Sequence, residues 1–250
     1  MKFNINQKDL QESLSYCQNV IERRSTLPIL SNVLIEAKSK KLTITATDLD
    51  MIFIHEISNV DIIEDGKTTT NSSIMHDIIR KFSTGKKINV QLISESKLQL
   101  ESEKSLFKLN CIDAQEFPVT DENIDGSEVT INSNGFLKLL NKCKFSISSD
   151  ETRHYLSGIY FHVTQNDDKK FLTAVSTDSH RMSISKMKLN ETIEFEPIIL
   201  PRKTIYQLCA LLENFSGDIK IISKKNKIKF ILKNSVLTSK VIDGKFPNYV

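Results

Sequence analysis

IDAQEFP, residues 112–118, returns near the other end of the chain as IDGKFP, residues 242–247, one residue shorter. Working backwards from the two copies, other blocks pair in the same order. KLTITATDLD, 41–50, matches KFLTAVSTDSH, 170–180, and LPILSNVLIE, 27–36, matches RHYLSGIYFH, 153–162, with Leu30 and Leu156 in register. The apolar spacing of helical segments repeats too. Leu10, Leu14 and Cys17 are displaced by 126 residues to Phe136, Leu140 and Cys143. Met75, Ile78, Ile79 and Phe82 are displaced by 130 to Ile205, Leu208, Cys209 and Leu212. The change from 126 to 130 predicts a four-residue insertion in TQNDDKK, 164–170. Several independent blocks in one order identify an internal duplication.

The duplication divides the 250 residues into two units, Met1 to Asp125 and Gly126 to Val250, joined through the polar, turn-rich TDENIDGSE, 120–128. Each unit reads as a short strand, a helix, several strands, a second helix and more strands. In unit one the helices are QKDLQESLSYCQ and IMHDIIRKF, with Ser72 and Ser73 as candidate caps of the second. NVLIEA, KLTITAT, MIFIHEI, INVQLI, KLQLES and LFKLNCI are strand-like, several with period-two alternation. In unit two the second helix follows LPRK, with Pro201 at its start. No βαβ rhythm and no glycine-rich phosphate loop is present, so the expected class is α+β: antiparallel sheets with both amphipathic helices against one face. An open unit of this kind leaves sheet edges that edge-to-edge joining would cover.

Composition excludes several functions. No apolar run approaches the ~18 residues of a membrane span, and MKFNINQKDLQESL lacks a signal-peptide core. The expectation is a cytoplasmic chain without membrane attachment. Cys17, Cys111, Cys143 and Cys209 lack the short spacing of a metal site, so no metal and no cofactor is expected, and the thiols are expected reduced. With 34 basic and 31 acidic residues, nucleic-acid contact requires the positive charge to be segregated on one face.

In sequence, MKFNINQKDLQESL, RSTLPILSNVLIEA, LTITATDLDM, RHYLSGIYF, TDSHRM, LPRKTIYQL and SKVIDGKFPNY resemble the bacterial DNA sliding clamp family, the beta subunit of DNA polymerase III. The resemblance covers the whole chain. It implies repeated clamp domains with sheets outside and two helices per domain lining the inner face of a ring. Family chains carry three such units and close head to tail as homodimers around duplex DNA. The third clamp domain is absent from this sequence, which stops at PNYV. The implied partners are duplex DNA, the polymerase III catalytic subunit, the clamp loader, and other polymerases and repair factors with clamp-binding motifs. The implied location is the nucleoid. The implied DNA contacts are Arg24, Arg202 and Lys203, joined by Lys138 and Lys142 on the first helix of unit two. Two departures reduce the basic surface: NSSIM, 71–75, stands where the family often has an Arg-Lys pair, and Asp150 stands in a loop that often contacts DNA.

The stretch AVSTDSHRMSISKM, 174–187, places Ser176, Asp178, Ser179 and His180 within five positions. A hydrolase would need these groups converged in space, and no G-x-S-x-G elbow accompanies them. The first copy, TATDLDM, keeps Thr47 and Asp48 but not the serine or histidine. Thr-Asp therefore reads as a strand-end turn. Asp48, Asp50, Asp61 and Asp65 form no recognised two-metal set, so no catalytic residue is assigned. The resemblance implies instead that Leu156, Thr177, His180, Arg181, Met182 and Pro247 line a groove for short partner peptides. Ser179 occupies the family's usual glycine position. Two other readings remain open at this level: a two-unit interaction module that forms no ring, and a ring of three two-unit chains.

Overall fold

A computed structural model describes residues 1–22, 26–118, 124–189 and 195–249, without the Glu151 side chain. Arg24 and residues 120–123 of the expected linker lie outside them. The chain forms two compact units, the first built on Met1–Asp121 and the second on Glu122–Leu232 and Leu237–Val250.

Unit one runs β1 (Lys2–Asn6), α1 (Gln7–Cys17), β2 (Asn32–Lys38), β3 (Lys41–Thr47), β4 (Met51–Ile57), β5 (Val60–Glu64), β6 (Gly66–Asn71), α2 (Ser72–Ile79), β7 (Lys87–Ser94), β8 (Lys97–Ser102) and β9 (Ser105–Ile112). Its strands lie in the order β4-β3-β2-β6-β9-β8-β7-β1-β5. Unit two runs β10 (Ser127–Asn132), α3 (Ser133–Cys143), β11 (Gly158–Asn166), β12 (Lys169–Thr177), β13 (Met182–Lys188), β14 (Ile198–Pro201), α4 (Arg202–Glu213), β15 (Asp218–Lys224), β16 (Lys227–Leu232) and β17 (Ser235–Lys240). Its strands lie in the orders β13-β12-β11-β14 and β10-β15-β16-β17. β5 has no counterpart among the described residues of unit two, and the other strands of the two units follow one topology. Both units are α+β, with antiparallel sheets.

The inserted residues lengthen one hairpin. Strands β2 and β3 have seven residues each, whereas β11 and β12 have nine. Each strand of the pair gains two residues, so the register beyond the hairpin is unchanged and every later side chain keeps its face.

The helices form where the apolar stripes lie. Leu10, Leu14 and Cys17 on α1 are fully buried, as are Leu140 and Cys143 on α3. α3 packs against α4, β12 and β13, and α1 against α2 and β3. Two helix starts differ from the sequence reading. Asn71, not Ser72 or Ser73, caps α2, its Oδ1 accepting from the Ile74 amide at 3.0 Å. α4 begins at Arg202, with Pro201 as its N-cap, so Arg202 and Lys203 are helical.

Strands β5 and β6 were not legible. VDIIE is mostly exposed at a sheet edge. GKTTTN looks polar, yet Thr68, Thr69 and Thr70 are buried. Their hydroxyls find partners inside: Thr69 donates to Ile112 O at 2.7 Å and Thr70 to Asn110 O at 2.9 Å. The corresponding strand in unit two, IILP, is apolar. In both units this strand meets the end of the last one at the repeated Ile-Asp: Thr69 pairs with Ile112, and Ile199 with Ile242.

Gly158 begins β11 beside Pro201, the residue before α4. A Cβ there would lie 2.3 Å from Leu200 O, so Gly158→Ala must push β14 away. We expect it to lower stability by about 1–3 kcal/mol, measured by urea unfolding, whereas Gly85→Ala, where no atom crowds the position but φ is +80°, should cost about 1 kcal/mol from backbone strain alone.

Candidate functional site

The Thr-Asp pair builds the same turn twice. At the end of β12, Thr177 Oγ1 donates to Arg181 O at 2.8 Å and accepts from the Ser179 amide at 3.1 Å. Asp178 Oδ1 accepts from the amides of His180 and Arg181, both at 3.0 Å. At the end of β3, Thr47 Oγ1 donates to Met51 O at 2.9 Å, and Asp48 Oδ1 accepts from the amides of Asp50 and Met51 at 3.0 and 2.7 Å. Ser179 and Leu49 hold φ of 76° and 77° at matching positions. This left-handed backbone costs a side-chain-bearing residue about 1–2 kcal/mol and suits glycine. Serine has kept the glycine-type conformation, and its Oγ accepts from Arg153 Nη1 at 2.6 Å.

The turn does not assemble a hydrolytic triad. Ser176 is fully buried and its hydroxyl donates to Cys143 O at 2.6 Å. Asp178 is committed to the turn, and its Oδ2 accepts from Arg181 Nε at 2.9 Å. His180 is exposed. The four cysteines are free thiols, and burial pushes the Cys143 thiol up to about 11. Among the described residues no cluster of His, Cys, Asp and Glu could hold a metal ion, and no helix is long and apolar enough to cross a membrane.

The floor of the candidate groove is a small apolar cluster of Leu156, Val175, Ile199 and Phe246, with Tyr155, Tyr160, Ile242 and Tyr249 packed around it. The segment after β17 reaches it through the Ile242 amide, which donates to Ile199 O at 2.9 Å. His154 Nε2 lies 3.2 Å from Asp243 O. Phe246 then stacks on Tyr160 with centroids 4.9 Å apart. Further along, His162 Nε2 lies 2.6 Å from the Tyr249 hydroxyl. Burial holds His162 below the usual histidine range and Tyr249 above the usual phenol range.

Of the expected groove residues, Leu156 lies in the floor and is 3% exposed. Pro247 is exposed next to Phe246. Thr177 pairs across the strands with Met182, which is 49% exposed, and His180 and Arg181 lie exposed on the turn between them. Val175 links the two groups, two residues before Thr177 on the same face of β12. Sequence reasoning missed Val175, Ile199 and Phe246. The repeat carried a signal for the last: Phe117 and Phe246 hold matching positions, just before the final proline of each block, and both are buried.

The expected DNA-contacting cations fall on exposed helix positions. Lys138 and Lys142 lie on the exposed side of α3, and Arg202 and Lys203 open α4. α3 contains no acidic residue and α4 only Glu213, whereas α1 and α2 carry Lys8 against Asp9, Glu12 and Asp77. Net positive charge on these four helices is therefore confined to unit two. Asp150 is held locally: its Oδ1 accepts from the Thr152 amide at 3.0 Å and its Oδ2 from Arg153 Nε at 2.8 Å.

Comparison with known proteins matches residues 1–121 to the N-terminal domain of the DNA polymerase III beta subunit and residues 130–248 to its central domain. The beta sliding clamp of Caulobacter vibrioides is 34% identical over the whole chain, which covers 68% of that protein. The beta sliding clamp of Escherichia coli K12 is 30% identical, with 67% of its length covered. Among solved structures, a C. crescentus beta sliding clamp with polyethylene glycol bound superimposes with a TM-score of 0.94 at 34% identity, over the whole chain and 66% of that one. A Bartonella birtlesii sliding clamp bound to griselimycin gives 0.93 at 35% identity, over the whole chain and 67% of that one. The chain thus spans about two thirds of the length of these relatives.

The hydrogen bonds from the Arg181 and His180 amides, with the Arg181 guanidinium, lower the Asp178 pKa from 3.8 to about 2. A depressed carboxyl contributes stability above its unfolded pKa and loses it as pH falls through the folded one. The turn should therefore hold at pH 4 and loosen only as pH falls toward about 2. Carboxyl carbon NMR should show a midpoint near about 2 for Asp178; titration at the ordinary aspartate value would contradict the turn geometry.

Proposed function

The chain belongs to the beta sliding clamp family, the beta subunit of DNA polymerase III, and on that premise we propose that it supplies two units of a ring that surrounds duplex DNA and tethers partner proteins to it. Retention is topological. A closed ring need not grip its DNA, so the contacts can be few, electrostatic and indifferent to sequence. Lys138, Lys142, Arg202 and Lys203 supply such contacts, and Arg24 joins them in unit one. The acidic balance of α1 and α2 makes unit two the main DNA-facing surface. In the family's ring the two remaining units come from a third clamp domain per chain, closed head to tail as a homodimer.

The observation that carries the partner side is the apolar cluster of unit two with the exposed residues beside it. An apolar floor at Leu156 and Phe246, an exposed Met182 and a polar rim at Thr177, His180 and Arg181 suit a short extended peptide with apolar anchors. The partners of this groove are the polymerase III catalytic subunit, the clamp loader, and other polymerases and repair factors with clamp-binding motifs. They dock in competition, at the nucleoid. The chain itself performs no chemistry: it is an accessory subunit that holds catalytic partners on DNA.

Titration with a peptide bearing a polymerase clamp-binding motif tests this reading. Met182→Ala removes an apolar contact of about 1 kcal/mol, so affinity should fall roughly fivefold. A complete three-domain clamp should bind the same peptide more tightly than this chain. Unchanged binding by the variant, together with equal affinity of the two proteins, would remove the groove from the account.

A further inference from the structure

The segment after β17 joins the sheet of unit two at the Ile199–Ile242 bridge, and residues 243–249 belong to no strand. Beyond the bridge, side chains hold it. Phe246 lies flat on Tyr160, with centroids 4.9 Å apart and ring planes 7° from parallel. Tyr160 stacks in turn on His162, two residues along the same face of β11, also at 4.9 Å. His162 Nε2 then reaches back to the Tyr249 hydroxyl at 2.6 Å, with those two rings 5.8 Å apart. Two residues of the strand thus clasp two residues of the segment. Pro247 is carried, exposed, between the two contacts.

The clasp belongs to the second copy. In the matched blocks LPILSNVLIE and RHYLSGIYFH, Leu34 stands opposite Tyr160 and Glu36 opposite His162. The places are equivalent in the fold as well: Glu36 pairs across its hairpin with Thr43, and His162 with Thr173. Unit one therefore keeps the buried phenylalanine, Phe117, but has neither the ring for it to stack on nor the imidazole beyond. A ring nitrogen and a phenol hydroxyl can each donate or accept, so the His162–Tyr249 pair holds in either tautomer. Burial, helped by the Lys186 charge in the same cross-strand row, favours the neutral imidazole.

We propose that His162 is a positioning residue of the partner groove: through the Tyr249 hydroxyl and the Tyr160 ring it fixes residues 246–249, so that Pro247 stands ready as a wall for the peptide. This rests on the reading of unit two as a peptide-docking unit and adds to it a residue outside the docking surface. His162 pairs with Thr173, four residues before Thr177 on β12, or about 13 Å along the strand. It acts on the peptide only through the segment it holds. A wall outside any strand must otherwise be ordered when the partner arrives, and that ordering subtracts from affinity. The clasp orders it beforehand, from the side away from the 178–181 turn.

The test is a double-mutant cycle of His162→Phe and Tyr249→Phe in the whole chain, read by anisotropy of a labelled peptide bearing a polymerase clamp-binding motif. Each phenylalanine keeps a ring for the stack and removes one partner of the hydrogen bond. Each single substitution should weaken peptide binding about threefold to fivefold, the worth of one hydrogen bond. The double variant should bind no more weakly than either single one. His162→Gln, whose side-chain amide can bond the hydroxyl, should recover most of the loss. Native affinity in both single variants would overturn the proposal, and so would losses that multiply in the double variant. A lowered urea midpoint with native peptide affinity also overturns it, because that is the mark of a contact that only stabilises the fold. Met182→Ala separates the two readings. If it weakens binding while the His162 and Tyr249 variants do not, the clasp alone fails. If the native chain does not bind the peptide at all, the groove reading fails and the clasp falls with it.

Discussion

The bridge between Ile199 and Ile242 is the constraint on which the site depends. It ties the segment after the last strand of unit two to β14, with the Ile242 amide 2.9 Å from the Ile199 carbonyl. Only then can Phe246 fall on Tyr160 and close the cluster around Leu156. β14 leads directly into α4, so the same strand also sets where Arg202 begins. Backbone pairing at one point thus places an apolar cluster and a basic helix start on one unit. Unit one makes the matching bridge, Thr69 to Ile112, with a buried threonine in place of isoleucine.

Duplication explains why the turns at Asp48 and Asp178 are nearly superimposable in their hydrogen bonding, and also why they differ in use. The turn fixes the backbone through Thr and Asp, leaving the next positions open to change. In unit one the position matching Arg181 is Met51, 2% exposed. In unit two it is a charged residue that lies over Phe145 and bonds Asp178. The architecture is common to both copies; the rim chemistry belongs to the second.

Much of the fold was legible because the repeat supplied an internal comparison. The apolar stripes of α1 and α3, most strands and the four-residue insertion could all be read from spacing. β6 could not, because three consecutive threonines resemble a loop until their hydroxyl partners on β9 are known. β5 could not, because an exposed edge strand has little alternation to show. The expected rim residues of the groove rested on family resemblance alone, and the apolar cluster beside them came from residues far apart in sequence: Leu156, Val175, Ile199 and Phe246 meet through sheet pairing and a returning segment.

The central claim is that the second of two equivalent turns, and not the first, borders a peptide groove. Backbone amide NMR of the chain titrated with a clamp-binding peptide tests it most directly. The account predicts perturbations at residues 154–156, 177–182 and 242–249, with little change at residues 47–51. Equal perturbation of both turns, or perturbation confined to unit one, would contradict it.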